Sequence, residues 1–134
     1  MMISMPPSPF VQHIGMVLED AGGGWATISL PVEKKLYNSI GITHGGVLCS
    51  LADVTGGMAV LGTYDELPLT TDFNISYFKR VKSGKLICVA EIINKSRKSA
   101  KVESSIYKNG ILIAKASISY STSKTKHPDP IQVE

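Results

Sequence analysis

Between Leu36 and Tyr64 the chain carries one formally charged side chain, Asp53. The densest part of that run, Gly45 to Gly62, is too short and too glycine-rich for a bilayer span, and it holds a carboxylate at its centre. What remains is a helix buried in a soluble protein. Val47, Leu48, Leu51, Val54, Met58 and Leu61 recur at steps of three and four, which predicts a helix from Gly45 to about Leu61. The opposite side is small: Ser50, Gly57 and Ala59 sit among Gly46 and Gly56. Glycine costs helix stability, so repeating it argues for close packing, with both faces of the helix covered.

The rest reads as strands. Ala26, Ile28, Leu30 and Val32 alternate with Thr27, Ser29 and Pro31, behind a Gly22-Gly23-Gly24 turn that makes Met16–Asp20 the hairpin partner. Pro31 suits a strand end or an edge. Residues 33–43 form a polar, then glycine-containing, loop. Phe73, Ile75 and Tyr77 alternate after Pro68, and Ser83-Gly84 marks a turn. Leu86 to Ile93 is apolar on both faces, as in a central strand covered on each side. Val102, Ser104 and Ile106 alternate with Glu103, Ser105 and Tyr107. Asn109-Gly110 is a strong hairpin signal, because both positions tolerate positive φ. Leu112, Ala114, Ala116, Ile118 and Tyr120 then line one face of the last strand. Phe10 to Ile14 fits one helical turn with Phe10 and Ile14 inward. The expected fold is α+β: one principal helix and a run of antiparallel strands.

At 134 residues this is a single domain by length, able to bury a core without staples. With 43% hydrophobic and 19% charged residues, wholesale disorder is excluded. There is no internal repeat or linker, and residues 1–9 and 122–134 are expected to be flexible tails. The two cysteines, Cys49 and Cys88, make neither a disulfide framework nor a CxxC motif. The start lacks a signal-peptide pattern, so a cytoplasmic location is expected.

The net charge of +3 is unevenly spread. Residues 1–78 carry two basic and seven acidic side chains, whereas residues 79–101 carry eight basic and one acidic. Such a cluster fits a phosphate-bearing ligand, though ordinary solvated turns also produce it. Nucleic acid is the weakest reading, since few aromatics accompany the basic residues.

The chemistry concentrates in Asn38-Ser-Ile-Gly-Ile-Thr-His44-Gly45-Gly46 and in Asp53. A carboxylate in an apolar helix must be paired, hydrogen-bonded or shifted in pKa. It is either functional or a structural group bonded to a backbone N–H or to a hydroxyl such as that of Thr55. Gly45 and Gly46 open the helix, where free N–H groups favour a developing oxyanion. The glycines could also serve only tight entry into the helix. His44 could order this loop or be a structural histidine. Gly45 and Asp53 are eight residues apart, about 12 Å along a helix, so one carbonyl cannot touch both. Two antiparallel copies of the helix would bring Gly45 of one chain to Asp53 of the other across a two-fold axis. No metal-ligand spacing joins His13, His44 and His127, and GxSxG, P-loop and GxGxxG motifs are absent. Cys49 is read as a buried, inert thiol.

Asn38-x5-His44-Gly45-Gly46-x6-Asp53 resembles the hotdog-fold acyl-CoA thioesterases, in the phenylacetic-acid-degradation-type branch. The resemblance runs over about residues 10–122, including Thr70–Phe78, Val81–Lys85 and the Asn109–Ala114 hairpin. It implies a long helix wrapped by a curved antiparallel sheet, dimers with a continuous sheet, pairing of dimers into tetramers, and a site at the dimer interface. It further implies that the Gly45 N–H polarises a thioester carbonyl, with Gly46 beside it. Asp53 of the partner chain would be general base or nucleophile. Asn38 would position water or carbonyl, and His44 would order the loop. Thr70 or its neighbour Thr71 would assist Asp53. Lys79, Arg80, Lys82 and Lys85, with Arg97 and Lys98, would meet the coenzyme A phosphates. No metal or separate cofactor is implied, coenzyme A being part of the substrate. Competing readings are an acyl-thioester dehydratase or hydratase using His44 as base, and a non-catalytic acyl-CoA-binding protein.

Overall fold

The computed structural model of the chain describes residues 4–64 and 67–122. The expected C-terminal tail beyond Thr122 lies outside the described residues. The elements are α1 (Pro9–Ile14), β1 (Val17–Gly22), β2 (Trp25–Pro31), a 3-10 turn (Lys34–Leu36), α2 (Gly45–Leu61), β3 (Leu69–Tyr77), β4 (Lys85–Lys95), β5 (Ser99–Lys108) and β6 (Ile111–Ser121). The strands form one antiparallel sheet in the order β1-β2-β4-β5-β6-β3. α2 packs across it, touching β2, β4, β5 and β6 most. This is the wrapped-helix hotdog arrangement.

Alternation dictates which side of each strand meets α2. Ala26, Ile28 and Leu30 of β2, Leu86, Cys88 and Ala90 of β4, Val102 and Ile106 of β5, and Ala114, Ala116 and Ile118 of β6 are all buried. They face Val47, Leu48, Leu51, Ala52, Met58 and Val60 of the helix. Two hydroxyls are drawn into this layer, each with a backbone acceptor. Ser104 Oγ donates to the Ala52 carbonyl at 2.9 Å, which ties the sheet to the helix, and Thr55 Oγ1 donates to the Leu51 carbonyl at 2.6 Å.

Several expectations change. In α1 it is Val11 that enters the core, while Phe10 stays 52% exposed. Ser8 caps this short helix, accepting the Val11 N–H at 3.3 Å, and that sets the helical phase. β4 is central in the sheet, but only one of its faces is covered. Val89 and Ile93 point away from the helix and stay exposed, because the protomer has a single layer of helix. Within one chain α2 also keeps an open stripe, along which Ser50, Asp53, Val54 and Gly57 are only half-buried.

The turns follow their residues. Asn109 and Gly110 take φ of 50° and 77°, the geometry that the tight β5–β6 hairpin requires. A register shift between Ile106 and Tyr107 then changes the phase of β6, so Ile113 is buried and Leu112 is not.

Candidate active site

The loop entering α2 is held by its own polar groups. Asn38 Oδ1 accepts the N–H groups of Ile40 (3.0 Å) and Ile42 (3.3 Å), closing a turn whose Gly41 has φ +78°. The Thr43 N–H donates to the Val81 carbonyl and the His44 N–H to that of Leu36, both at 2.8 Å. The Tyr37 hydroxyl reaches the Lys82 carbonyl. Asn38 therefore spends its side-chain oxygen on the loop, and its amide N–H groups are what it can offer a ligand.

His44 is the N-cap of α2, and its Nδ1 accepts the Gly46 N–H at 2.9 Å. That bond orders the loop and engages Gly46, so the Gly46 N–H is not free for a substrate. The Gly45 N–H has no acceptor among the described residues. It sits at the first helical position, where the aligned peptide dipoles favour negative charge.

Asp53 lies on the open stripe of α2, two turns further on. Thr70 of β3 donates Oγ1 to Asp53 Oδ1 at 2.7 Å. The Tyr120 hydroxyl of β6 donates to the Asp53 carbonyl at 2.7 Å and lies 3.2 Å from Oδ1. Burial, and then the Asp53 charge beside it, raise the Tyr120 pKa far above the ordinary phenol value, so this hydroxyl stays a donor. Thr71 points elsewhere and donates to the Ser119 carbonyl at 3.2 Å. The irregularity between Thr70 and Asp72 in the β3–β6 pairing separates the two threonines. The Thr55 hydroxyl donates to the Leu51 carbonyl rather than to Asp53.

Tyr120 and Tyr77 escape a sequence reading, since each passes as one more alternating strand residue. A signal for Tyr120 was present at Gly56. A Cβ there would lie 2.3 Å from the Tyr120 hydroxyl, so the helix needs glycine to admit it. Tyr77 ends β3 against the first turn of α2. Its hydroxyl donates to the Gly45 carbonyl at 3.0 Å and lies 2.9 Å from Cys49 Sγ. Partial burial, and then the hydrogen bond with Cys49, push the Tyr77 pKa up to about 12. Cys49 is thus half-buried and polar-partnered rather than enclosed in apolar core. The enclosed thiol is Cys88.

The basic cluster divides. Lys79, Arg80, Lys82 and Lys85 are exposed at the end of the sheet that holds the Asn38–His44 loop. Arg97 and Lys98 occupy the β4–β5 turn, at the other end of an 11-residue strand. At about 3.3 Å per residue that is more than 30 Å away. Among the described residues no group of three His, Cys, Asp or Glu side chains could hold a metal. No described helix is long and apolar enough to cross a membrane.

A six-stranded antiparallel sheet packed on one long helix is the hotdog architecture. The chain belongs to the thioesterase superfamily, whose family model matches residues 40–115. It is 29% identical over 99 residues to the proofreading thioesterase EntH of Cronobacter sakazakii, covering 72% of each chain. Among solved structures it is similar to the conserved protein PA5202 of Pseudomonas aeruginosa, with 32% identity, a TM-score of 0.83 and coverage of 86% of this chain and 94% of that one. The phenylacetic acid degradation protein PaaI of Thermus thermophilus shares the fold, with a TM-score of 0.80 at 23% identity over 85% of this chain and 98% of that one. The matched stretch spans between 50% and 72% of the length of the curated relatives. Membership supports hydrolysis of a thioester in general.

Proposed function

We propose that the protein hydrolyses acyl-CoA thioesters at two equivalent sites, each shared between the protomers of a two-fold dimer. The observation that carries this reading is Asp53, held by Thr70 and Tyr120 on the half-open stripe of a helix whose first N–H, at Gly45, has no acceptor among the described residues. The thioester carbonyl accepts the Gly45 N–H of one protomer, where charge developing on oxygen is stabilised. Asp53 of the other protomer faces the carbonyl carbon. Its Oδ1 is engaged by Thr70 and Tyr120, which leaves Oδ2 for chemistry.

Oδ2 either takes a proton from water as the water oxygen attacks, or attacks directly to form an acyl-enzyme anhydride that water then cleaves. In both routes the carbon–sulfur bond breaks and coenzyme A leaves as a thiolate that is then protonated. Asn38 orients water or carbonyl through its amide N–H groups. Lys79, Arg80, Lys82 and Lys85 meet the phosphates from the Gly45 side. No cofactor or metal is needed. The dimer extends to a tetramer by pairing of two dimers, and the reaction runs in the cytoplasm. A dehydratase would need His44 as base, but its Nδ1 is engaged as the helix cap.

The test is thiol release from a panel of acyl-CoA esters by the wild type and by Asp53→Asn, which preserves the acceptor for Thr70. The variant should lose about 10²–10⁴-fold in kcat, the usual contribution of such a group. Near-normal turnover by a folded Asp53→Asn protein would remove Asp53 from the mechanism. Tight coenzyme A binding with no hydrolysis by the wild type would leave a binding protein.

A further inference from the structure

Beside Asp53 the protomer does not close. A hollow of about 310 Å³ opens between α2, the chain entering β3 and the segment leading into α1. Its polar groups gather at Asp53, Thr70 and Tyr120, apart from Ser8 on the α1 side, whose hydroxyl oxygen is engaged as the cap of that helix. Away from them the walls are mainly apolar, with Met5, Pro6 and Val11 on one side and Val54, Met58 and Leu61 of α2 on the other. Gly57 lies in the helix wall one turn beyond Asp53. A Cβ at Gly57 would meet nothing nearer than Pro68 Cγ at 3.8 Å and Tyr120 Cε1 at 4.0 Å, which is ordinary contact. Unlike Gly56, this position does not need glycine for close approach, and the missing side chain adds directly to the space.

We infer that this hollow receives the hydrocarbon of the acyl group, and that Gly57 together with the Met5–Val11 segment sets how long that group can be. The inference rests on the proposed reading for where the thioester lies. A thioester has two arms. The coenzyme A arm is drawn toward Lys79–Lys85, which sit with Gly45 on one protomer. The acyl arm leaves the carbonyl beside Asp53 of the other, and the hollow begins there. The substrate therefore lies across the interface, with acyl group and phosphates on different chains. The volume is at the low end of the roughly 300–1,000 Å³ of small-molecule sites. At about 30 Å³ per water-sized group it holds on the order of ten heavy atoms. The space that one protomer offers thus favours apolar acyl groups of about six to ten carbons, longer than acetyl and shorter than palmitoyl.

Binding of non-hydrolysable S-alkyl-CoA thioethers, from ethyl to hexadecyl, tests this by calorimetry without need of turnover. Wild-type affinity should rise about fourfold per added methylene, stopping near octyl or decyl. In Gly57→Leu the rise should stop several carbons sooner. Met5→Ala should weaken octyl more than ethyl. If Gly57→Leu loses its dimer, Leu61→Trp fills the hollow from the same wall. Equal affinity from ethyl to decyl, a rise unbroken to hexadecyl, no binding of any member, or one profile shared by wild type and both filling variants would each overturn the inference. Hydrolysis of the matching thioesters is assayed separately. A normal length profile without turnover would sink the catalytic reading and keep the hollow, and turnover with a flat profile would do the reverse.

Discussion

At the scale of single residues, the position of the Asp53 carboxylate is decided by two hydroxyls from strands far apart in sequence. Tyr120 holds the backbone of the helix at Asp53, and Thr70 holds the side chain. Tyr120→Phe removes a buried donor and leaves the Asp53 carbonyl short of a partner. It should cost about 1–3 kcal/mol of stability, read from denaturant midpoints, and should lower kcat more than it raises KM. Hydrolysis in ¹⁸O-water over many turnovers, together with hydroxylamine trapping, separates the two roles of Asp53. Label in the Asp53 side chain, or a trapped acyl group on it, identifies the nucleophile, and label only in the acid product with nothing trapped identifies the base. The isolation of Asp53 was legible because a lone charge in an apolar run is conspicuous. The choice between Thr70 and Thr71 was not, because it depends on a local irregularity in strand pairing. Tyr120 read as core, since alternation says which face a residue takes and not what its hydroxyl meets.

Among the elements, α2 was legible to its ends, Gly45 and Leu61, because period and glycine punctuation agree there. β4 was half legible: its apolar run marked a central strand, but centrality in a sheet does not cover both faces. Each element carries a prediction. His44 has φ −61° and ψ 135°, a conformation that a following proline accepts. Gly45 is the first helical residue, where proline is tolerated. A Cβ there would stand 3.3 Å from the Tyr77 hydroxyl, which must shift by a few tenths of an ångström. Gly45→Pro should therefore keep the helical and β circular dichroism signals yet lose most of its kcat, because it deletes the one N–H proposed for the oxyanion. In β4, burial pushes the Cys88 thiol up from 9.0 to about 12. The unfolded thiol ionises first, so the unfolded state binds fewer protons than the folded state in that window. Stability must then fall as pH rises from about 9 toward 12, by up to about 1.4 kcal/mol per pH unit from this group. Tm measured at pH 8, 9 and 10 should drop less between pH 9 and 10 in Cys88→Ala than in the wild type. Parallel curves would clear Cys88 of that role.

For the whole molecule, the proposed sharing of sites can be tested by mixing two inactive proteins. A hybrid of one Gly45→Pro and one Asp53→Asn protomer keeps one intact Gly45 and one intact Asp53 on opposite chains. If sites are shared, unfolding and refolding an equimolar mixture should restore about one quarter of wild-type activity, since half the dimers are hybrids with one working site each. If each site lay within one protomer, nothing would return. The basic cluster shows what sequence distance hides at this scale. Residues 79–101 form one block in the chain, but β4 carries its two halves to opposite ends of the sheet.

The strand order has a consequence in time. β3 follows directly after the helix, yet among the described residues its one neighbour is β6, the last of the described strands. The grip on Asp53 draws on residues 53, 70 and 120. During synthesis the middle of the chain can collapse early, but Thr70 has no sheet to lean on until Tyr120 has emerged. Closure of so long a loop is a late and slow event. Catalytic competence should therefore trail the first helical and β signals in refolding, and its onset should mark completion of the fold more sharply than any spectroscopic probe of secondary structure.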